Sequence, residues 1–478
     1  MTAPAPALRM GTAAGRGSLL AAILASGMVF LDTTVVNVAL PRLGAELKAS
    51  VADLQWTVNG YLLTLAAFVL LGGALGDRFG RRRVFLIGVA WFATASVLCG
   101  LAQGTGWLIV ARFLQGAGGA LLTPGSLSVL QASFHRDDRG RAIGTWSGLS
   151  GVSTALGPLL GGWLIDALSW RWIFFINLPL AVAVVLAALR WVPESRDVAA
   201  SRTGAKRRFD VVGALLGALG LGGVTYALID APARGGRSPA VLVSVLVGVL
   251  AVVAFVLVER RRGEAAMLPT KLFGSRLFSV LNVFTVVVYA ALGGFTFFLA
   301  VFLQNGIGWS ALRTGLATVP MTLLLLVGSP RAGALSAKIG PRLPLTVGPV
   351  IAAGGLLLLR RIGPGASYWV DVLPGVVLFG AGLTLVVAPL TTSVLAAVAD
   401  RFAGVASGFN NAASRAGGLL AVAALPLLVG LSGTGYEQKA ALTDAFRGAL
   451  LWCAGLLLLG AALAGLLVHR PVKGRTPS

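Results

Sequence analysis

Apolar residues come in long uninterrupted runs along this chain, and short polar or basic segments separate them. Fourteen runs stand out, at about residues 18–40, 56–76, 84–102, 107–130, 142–165, 172–191, 211–229, 240–258, 277–303, 312–332, 343–361, 371–397, 405–431 and 446–468. Most approach or exceed the roughly 20 residues a helix needs to cross a bilayer. Backbone groups in lipid find no water, so a spanning segment must satisfy them as a helix or within a closed barrel. Barrel strands would be about ten residues long and would alternate apolar with polar; these runs do neither. The pattern predicts an all-α membrane protein with 14 transmembrane helices. The first run has a signal-peptide look, but it extends to Leu40 and others follow, so it is read as a retained first helix.

Composition agrees. The chain is 56% hydrophobic and 12% charged, where a soluble domain carries about 25% charge. The net charge of +22 does not indicate nucleic acid, because the basic residues sit between the apolar runs. An even number of crossings puts both termini on one side. Assigning that side to the cytoplasm leaves 27 of the 39 Lys and Arg inside, ten outside and two, Arg112 and Arg415, within runs. That bias predicts a multi-pass protein of the cell membrane with N- and C-termini cytoplasmic.

Few residues invite catalysis. Cys99 and Cys453 lie inside apolar runs and read as small buried hydrophobes. His135 and His469 lie in basic loop or tail segments. No metal-ligand cluster, nucleotide loop or convergent His/Asp/Glu set is visible, which argues against an enzyme and against any cofactor. The loops are too short for a receptor's signalling domain. Without an ATP site, ion coupling is the expected energy source.

One loop repeats. "GALGDRFGRRR" (Gly73 to Arg83) and "GALSAKIGPR" (Gly333 to Arg342) both follow an apolar run and share their Gly and basic spacing. Repeated bundles are a transporter signature, with the site between the halves. Asp77 of the first copy is Ala337 in the second, so the halves are not equivalent, which also disfavours a channel.

Three charged side chains lie deep in the apolar runs: Asp32, Arg112 and Arg415. An ionised group at that depth costs about 2.5–3.5 kcal/mol on insertion scales and needs a partner. Asp32 reads either as a proton-coupling acid or as a packing group bonded to Thr33 or Thr34. For Arg112 the expected partners are Gln115, backbone carbonyls or Asp32. Arg415, beside Asn410 and Asn411, reads as a gate contact or as a side chain snorkelling to the interface. Other polar cavity candidates are Asn37, Gln55, Asn59, Gln115, Gln131, Asn282 and Gln304.

The first loop copy resembles the cytoplasmic signature of the major facilitator superfamily, at Gly73, Leu75, Asp77, Arg78, Gly80, Arg81 and Arg82. "LDTTVVNVALP", "QWTVNGYLL", "ARFLQGAGGA", "ALGPLLGG" and "WRWIFFINLP" follow in the order of the fourteen-helix drug:proton antiporters of that family, and the likeness covers nearly the whole chain. The resemblance implies two six-helix bundles of the major facilitator fold, at 18–191 and 277–468. Between them, 192–276 would hold linkers and two extra helices, with tails at 1–17 and 469–478. It implies proton coupling through Asp32 and Arg112, and a gating loop of Gly73, Asp77, Arg78, Gly80, Arg81 and Arg82. In that loop Asp77 would meet the N-terminus of helix 13 near Gly404. It also implies an antiporter motif of Gly157, Pro158, Gly161 and Gly162. The implied activity is export of hydrophobic or amphipathic drug-like or antibiotic compounds by a monomer driven by the proton gradient; the alternative cargo is one endogenous metabolite. Some relatives carry an acid in helix 10. This chain has none between Leu312 and Pro330, which weakens the expectation of dicationic cargo.

Overall fold

The computed structural model describes residues 8–195, 210–263, 266, 268–399 and 402–468. Among them are 14 long helices, with no named strand. They are α1 (Ala13–Leu47), α2 (Val51–Phe79), α3 (Arg81–Gly100), α4 (Thr105–Ser133), α5 (Arg136–Ala167), α6 (Trp172–Trp191), α7 (Val211–Arg234), α8 (Pro239–Arg262), α9 (Arg276–Gly306), α10 (Ala311–Ile339), α11 (Arg342–Leu359), α12 (Tyr368–Ala396), α13 (Ala403–Leu428) and α14 (Lys439–Leu467). All but α4 are long and apolar enough to cross a membrane. The C-terminal tail, 469–478, lies outside the described residues.

Several helices outrun their apolar segments, because capping rather than hydropathy sets their ends. Ser50 and Asp53 form a reciprocal capping box that starts α2 five residues before its apolar run. His135 caps α5, and Ser310 caps α10. Gly80 ends α2 with φ 111° and Gly340 ends α10 with φ 86°, a conformation that glycine adopts without strain. These two glycines hold the same place in the repeated loops. The tail read as 1–17 is docked from Leu8 onward: Leu8 exchanges backbone hydrogen bonds with Ser133 and His135, and Arg9 pairs with Asp137.

The repeat extends to packing. In the first half α1 packs on α5 and α6, α2 on α4, and α3 on α4 and α6. In the second half the same pairings recur eight helices later: α9 with α13 and α14, α10 with α12, α11 with α12 and α14. The halves meet through α2 against α13, α5 against α10, and α1 against α9. Of the two extra helices, α7 covers the α2–α13 seam and α8 packs on α7. Trp56 Nε1 donates to Asp230 at 3.4 Å, tying α2 to α7.

Small residues set the helix spacing. A Cβ added at Gly72 would lie 2.2 Å from the Ala120 carbonyl oxygen, and one at Gly116 would lie 2.3 Å from that of Tyr61. Two rigid backbones leave no side chain to yield. Gly72→Val is therefore expected to destabilise by about 1–3 kcal/mol, the usual cost of overpacking. Gly217→Ala, with no atom within 4 Å of the added carbon, should leave stability unchanged. Thermal midpoints of the two variants by fluorescence-detected size exclusion check this; equal midpoints would contradict it.

Candidate functional site

The one long helix that falls short of a membrane span's apolarity carries the chemistry. On α4, Arg112 and Gln115 are three residues apart and so share a face, which turns toward α1. Asp32, on α1, has no exposed surface, and Arg112 is 1% exposed. Arg112 Nη1 donates to Asp32 Oδ2 at 2.7 Å and to Gln115 Oε1 at 2.7 Å. Gln115 Nε2 donates to Asp32 Oδ1 at 2.8 Å. Arg112 Nε donates to the Thr57 carbonyl at 3.0 Å, and the guanidinium lies 4.3 Å from the Tyr61 ring centroid. A desolvated cation over an aromatic face gains about 2 kcal/mol.

A second layer holds Gln115 in place. Its Nε2 reaches Ser96 Oγ at 3.3 Å, and Ser96 donates to the Phe174 carbonyl at 2.8 Å. Asn177 Nδ2 donates to Ser96 Oγ at 3.0 Å, and Cys99 Sγ to Gln115 Oε1 at 3.4 Å. Cys99 is thus part of a polar network, not only the apolar filler its sequence context suggested. The alternative reading of Asp32 does not hold: Thr33 and Thr34 donate to carbonyls of their own helix, not to Asp32.

The other polar candidates divide among several places. Gln55 Nε2 donates to the carbonyls of Val422 and Ala423 at 2.7 and 2.9 Å, and Gln304 Nε2 to that of Val38 at 2.9 Å. These are bonds between the halves. Gln304 lies in a π-helical turn of α9, Phe302–Gly306. Asn282, Asn410 and Thr285 form their own cluster in the second half. Asn37 bonds to the Thr33 carbonyl, one turn back. Asn59 is wholly buried, and neither amide atom finds a partner. Gln131 is exposed and does not join the site.

Polar bonds join the halves at one end. At the end away from the basic loops, Asp166 Oδ1 and Oδ2 accept from the amides of Ala311 and Leu312, at 3.2 and 2.8 Å, closing α5 onto the start of α10. A carboxylate there is favoured by the helix dipole. Tyr436 donates to the Ala49 carbonyl at 2.7 Å, and burial, first, with Glu437 and Asp53 nearby, pushes its hydroxyl up to about 12. Toward the basic end, an added Cβ at Gly151 would reach only Leu326, at 3.9 Å, and one at Gly144 or Gly148 would meet nothing within 4 Å.

A family model described as Major Facilitator Superfamily matches residues 22–422. The chain belongs to the major facilitator superfamily. It is 37% identical over 412 residues to the tetracenomycin C resistance and export protein of Streptomyces glaucescens, covering 86% of this chain and 75% of that protein. It is 36% identical over 468 residues to the puromycin resistance protein pur8 of Streptomyces alboniger, covering 94% and 90%. It is 34% identical over 464 residues to the cephamycin export protein CmcT of Amycolatopsis lactamdurans, covering 96% and 95%. Its fold resembles the crystal structure of a bacterial homolog of the human lysosomal transporter Spinster, with TM-score 0.68 at 18% identity, covering 96% and 97% of the two chains. The protein is thus a multi-pass membrane transporter rather than an enzyme.

Asp77 is half exposed and pairs with Arg81 one turn on, at 2.9 Å, and no atom lies within 4 Å of a Cβ added at Gly404. The bond expected from Asp77 to the start of α13 is not made. Arg82 instead donates to the Val192 carbonyl, and its amide donates to Glu194 Oε1. Arg78 stacks on Phe79. Gly73 lies 3.6 Å from Pro124 by its added Cβ. The family's antiporter segment bridges the halves: added Cβ atoms at Gly157 and Gly161 would meet Thr34 and Val35 of α1 at 2.0 Å. On the other face, Gly162 lies against Ala311, and the Pro158 carbonyl against Gly315.

Glu194, Asp166, Ser96 and Asn177 went unpredicted. Their partners lie far away in sequence, and no local pattern pointed to them.

Removing Asp32 strands a buried cation, which typically costs about 3–5 kcal/mol. Asp32→Ala is expected to lose about that much, and Asp32→Ala with Arg112→Ala to lose less than the two single losses combined. Thermal unfolding of the three variants in detergent measures this; strict additivity would show that the pair is not coupled.

Proposed function

We propose that this protein is a proton-coupled antiporter that exports hydrophobic, drug-like or antibiotic compounds by alternating access. The observation that carries the reading is Asp32. It is a fully buried carboxylate on a cation that keeps other partners if the carboxylate is neutralised. A proton on Asp32 would weaken its attraction to Arg112. Arg112 would still hold the Thr57 carbonyl, the Gln115 oxygen and the Tyr61 face, so the cation would keep hydrogen bonds although it loses its counter-charge. Protonation is thereby made affordable without unfolding the site.

The same acid is joined to the moving parts. Thr34 and Val35, just after Asp32, pack into the Gly157 and Gly161 notches of α5, and the opposite face of α5 touches α10. A change in the position of α1 is thus transmitted to the seam between the halves. With the basic end assigned to the cytoplasm by its Lys and Arg excess, the polar bonds between the halves lie at the outer end, so this arrangement would be the inward-open one. Asp77 would then find the start of α13 only when the inside closes. Each charge moved across the membrane is worth about 2.3 kcal/mol per 100 mV, enough to drive a cargo gradient well over tenfold.

The names of the relatives favour export of antibiotics, and they divide between broad resistance proteins and dedicated exporters of one natural product. A single endogenous cargo is therefore the second reading. The test is proton release from purified protein on addition of cargo, over a panel of neutral aromatics, aromatic acids and lipophilic cations. Wild-type release that disappears in Asp32→Asn is expected. Equal release from the variant would overturn the assignment of Asp32, and release by one compound class alone would favour the dedicated cargo.

A further inference from the structure

The charges deep in the membrane do not balance. Asp32 and Arg112 neutralise each other. Among the described residues, Arg415, on α13, makes neither an ion pair nor a hydrogen bond, and its Nε is enclosed without a partner. Its electrostatic neighbours are two hydroxyls, Tyr61 from the first half and Tyr289 from α9. A side chain snorkelling to the interface would lie against headgroups or water. This one is placed along the α13 stripe that faces α2, between Gly408, which packs on Leu70, and the Val422 and Ala423 carbonyls, which hold Gln55.

A cavity of about 100 Å³ between α9, α12 and α13 is lined by Tyr289, Thr391, Ser407, Asn410, Asn411 and Ser414, and Arg415 follows the last of these in the chain without lining it. Tyr289 belongs to both sets. The Asn411 side chain is exposed and makes no hydrogen bond. The lining has polar groups from three helices and no carboxylate. An unpaired guanidinium in a water-poor setting attracts an anion far more strongly than it would in bulk water, and its planar donors match the two oxygens of a carboxylate.

We propose that Arg415 and this cavity form a subsite for an anionic group, a carboxylate or ionised phenol, on an otherwise hydrophobic cargo. The proposal rests on the export reading, because it describes what the exporter would carry. The acid would bond to Arg415 with Asn411 as a further donor, joined by Ser414 if its hydroxyl leaves the Asn411 carbonyl it now donates to, and the apolar body would extend into the space between the halves. The same positive charge disfavours cationic cargo, in line with the absence of an acid between Leu312 and Pro330 on α10.

The test is calorimetric titration of the full-length protein in lipid nanodiscs with three probes of one shape: 2-naphthoate, 2-naphthamide and 2-naphthylmethylammonium. Naphthoate should bind about tenfold or more tightly than the other two, the size of one or two charge-assisted hydrogen bonds. Arg415→Gln should abolish that preference while changing amide affinity less than about twofold, and Arg415→Lys should retain part of it. Asn411→Ala, at an exposed position, should weaken naphthoate alone by a few fold. No binding of naphthoate, equal binding of all three, or a preference that survives Arg415→Gln would overturn the subsite. Proton release through Asp32 separates the two readings. If release persists without acid preference, the subsite falls and the antiporter stands. If acid preference holds without release, the reverse is true.

Discussion

A charge inside a membrane protein must have a partner, and one ion pair sets the constraints here. Asp32 and Arg112 are both removed from water, so each is tolerable only through the other and through the groups around them. Gln115 bonds to both, Ser96 and Asn177 steady Gln115, and Tyr61 stacks on the guanidinium. Helices α1, α2, α3, α4 and α6 all contribute to this cluster. Their relative positions follow from the need to satisfy it as much as from apolar packing, which in lipid supplies little drive between helices.

From that centre, glycine carries the structure outward. The notches at Gly157 and Gly161 bring α5 against the segment of α1 that follows Asp32, and Gly162 brings the same helix against α10. The Gly162–Ala311 and Pro158–Gly315 contacts are backbone on backbone and stiff, while at Gly157 and Gly161 the Thr34 and Val35 side chains fill the notches. A change in charge at Asp32 therefore bears on an interface that has few intermediate arrangements. Asp166 on the start of α10, Gln55 on α13 and Gln304 on α1 hold one end shut, and each is a small number of polar bonds that a rocking motion can exchange. Helix α7, laid along the α2–α13 seam, covers that interface from the side and brings α8 with it.

Much of this was legible in the chain. The apolar runs located all 14 helices, and the two loops of shared spacing end their helices alike, at Gly80 and Gly340. Asp32, Arg112 and Gln115 stood out because polar atoms are costly at that depth. Helix ends were less legible, since caps such as Ser50 with Asp53 override hydropathy. Helix α4 shows the tension directly: Arg112 and Gln115 lower its hydropathy, and it is the one long helix that falls short of a span's apolarity. What no local pattern disclosed were the long-range partners. Asp166 meets α10 across 145 residues and Glu194 meets the Arg82 amide across 112, and the unpaired state of Arg415 depends on what every neighbouring helix fails to offer.

The central claim is that Asp32 gains and loses a proton within the folded protein. Infrared difference spectra of the protein in lipid, taken between alkaline and acidic pH, read the carboxylic acid C=O stretch directly. A band that appears on acidification in the wild type and is missing in Asp32→Asn is the predicted result. A wild-type spectrum whose carboxylic acid region is unchanged by the Asp32→Asn substitution would contradict it, and would leave the buried pair as a structural tie rather than a proton switch.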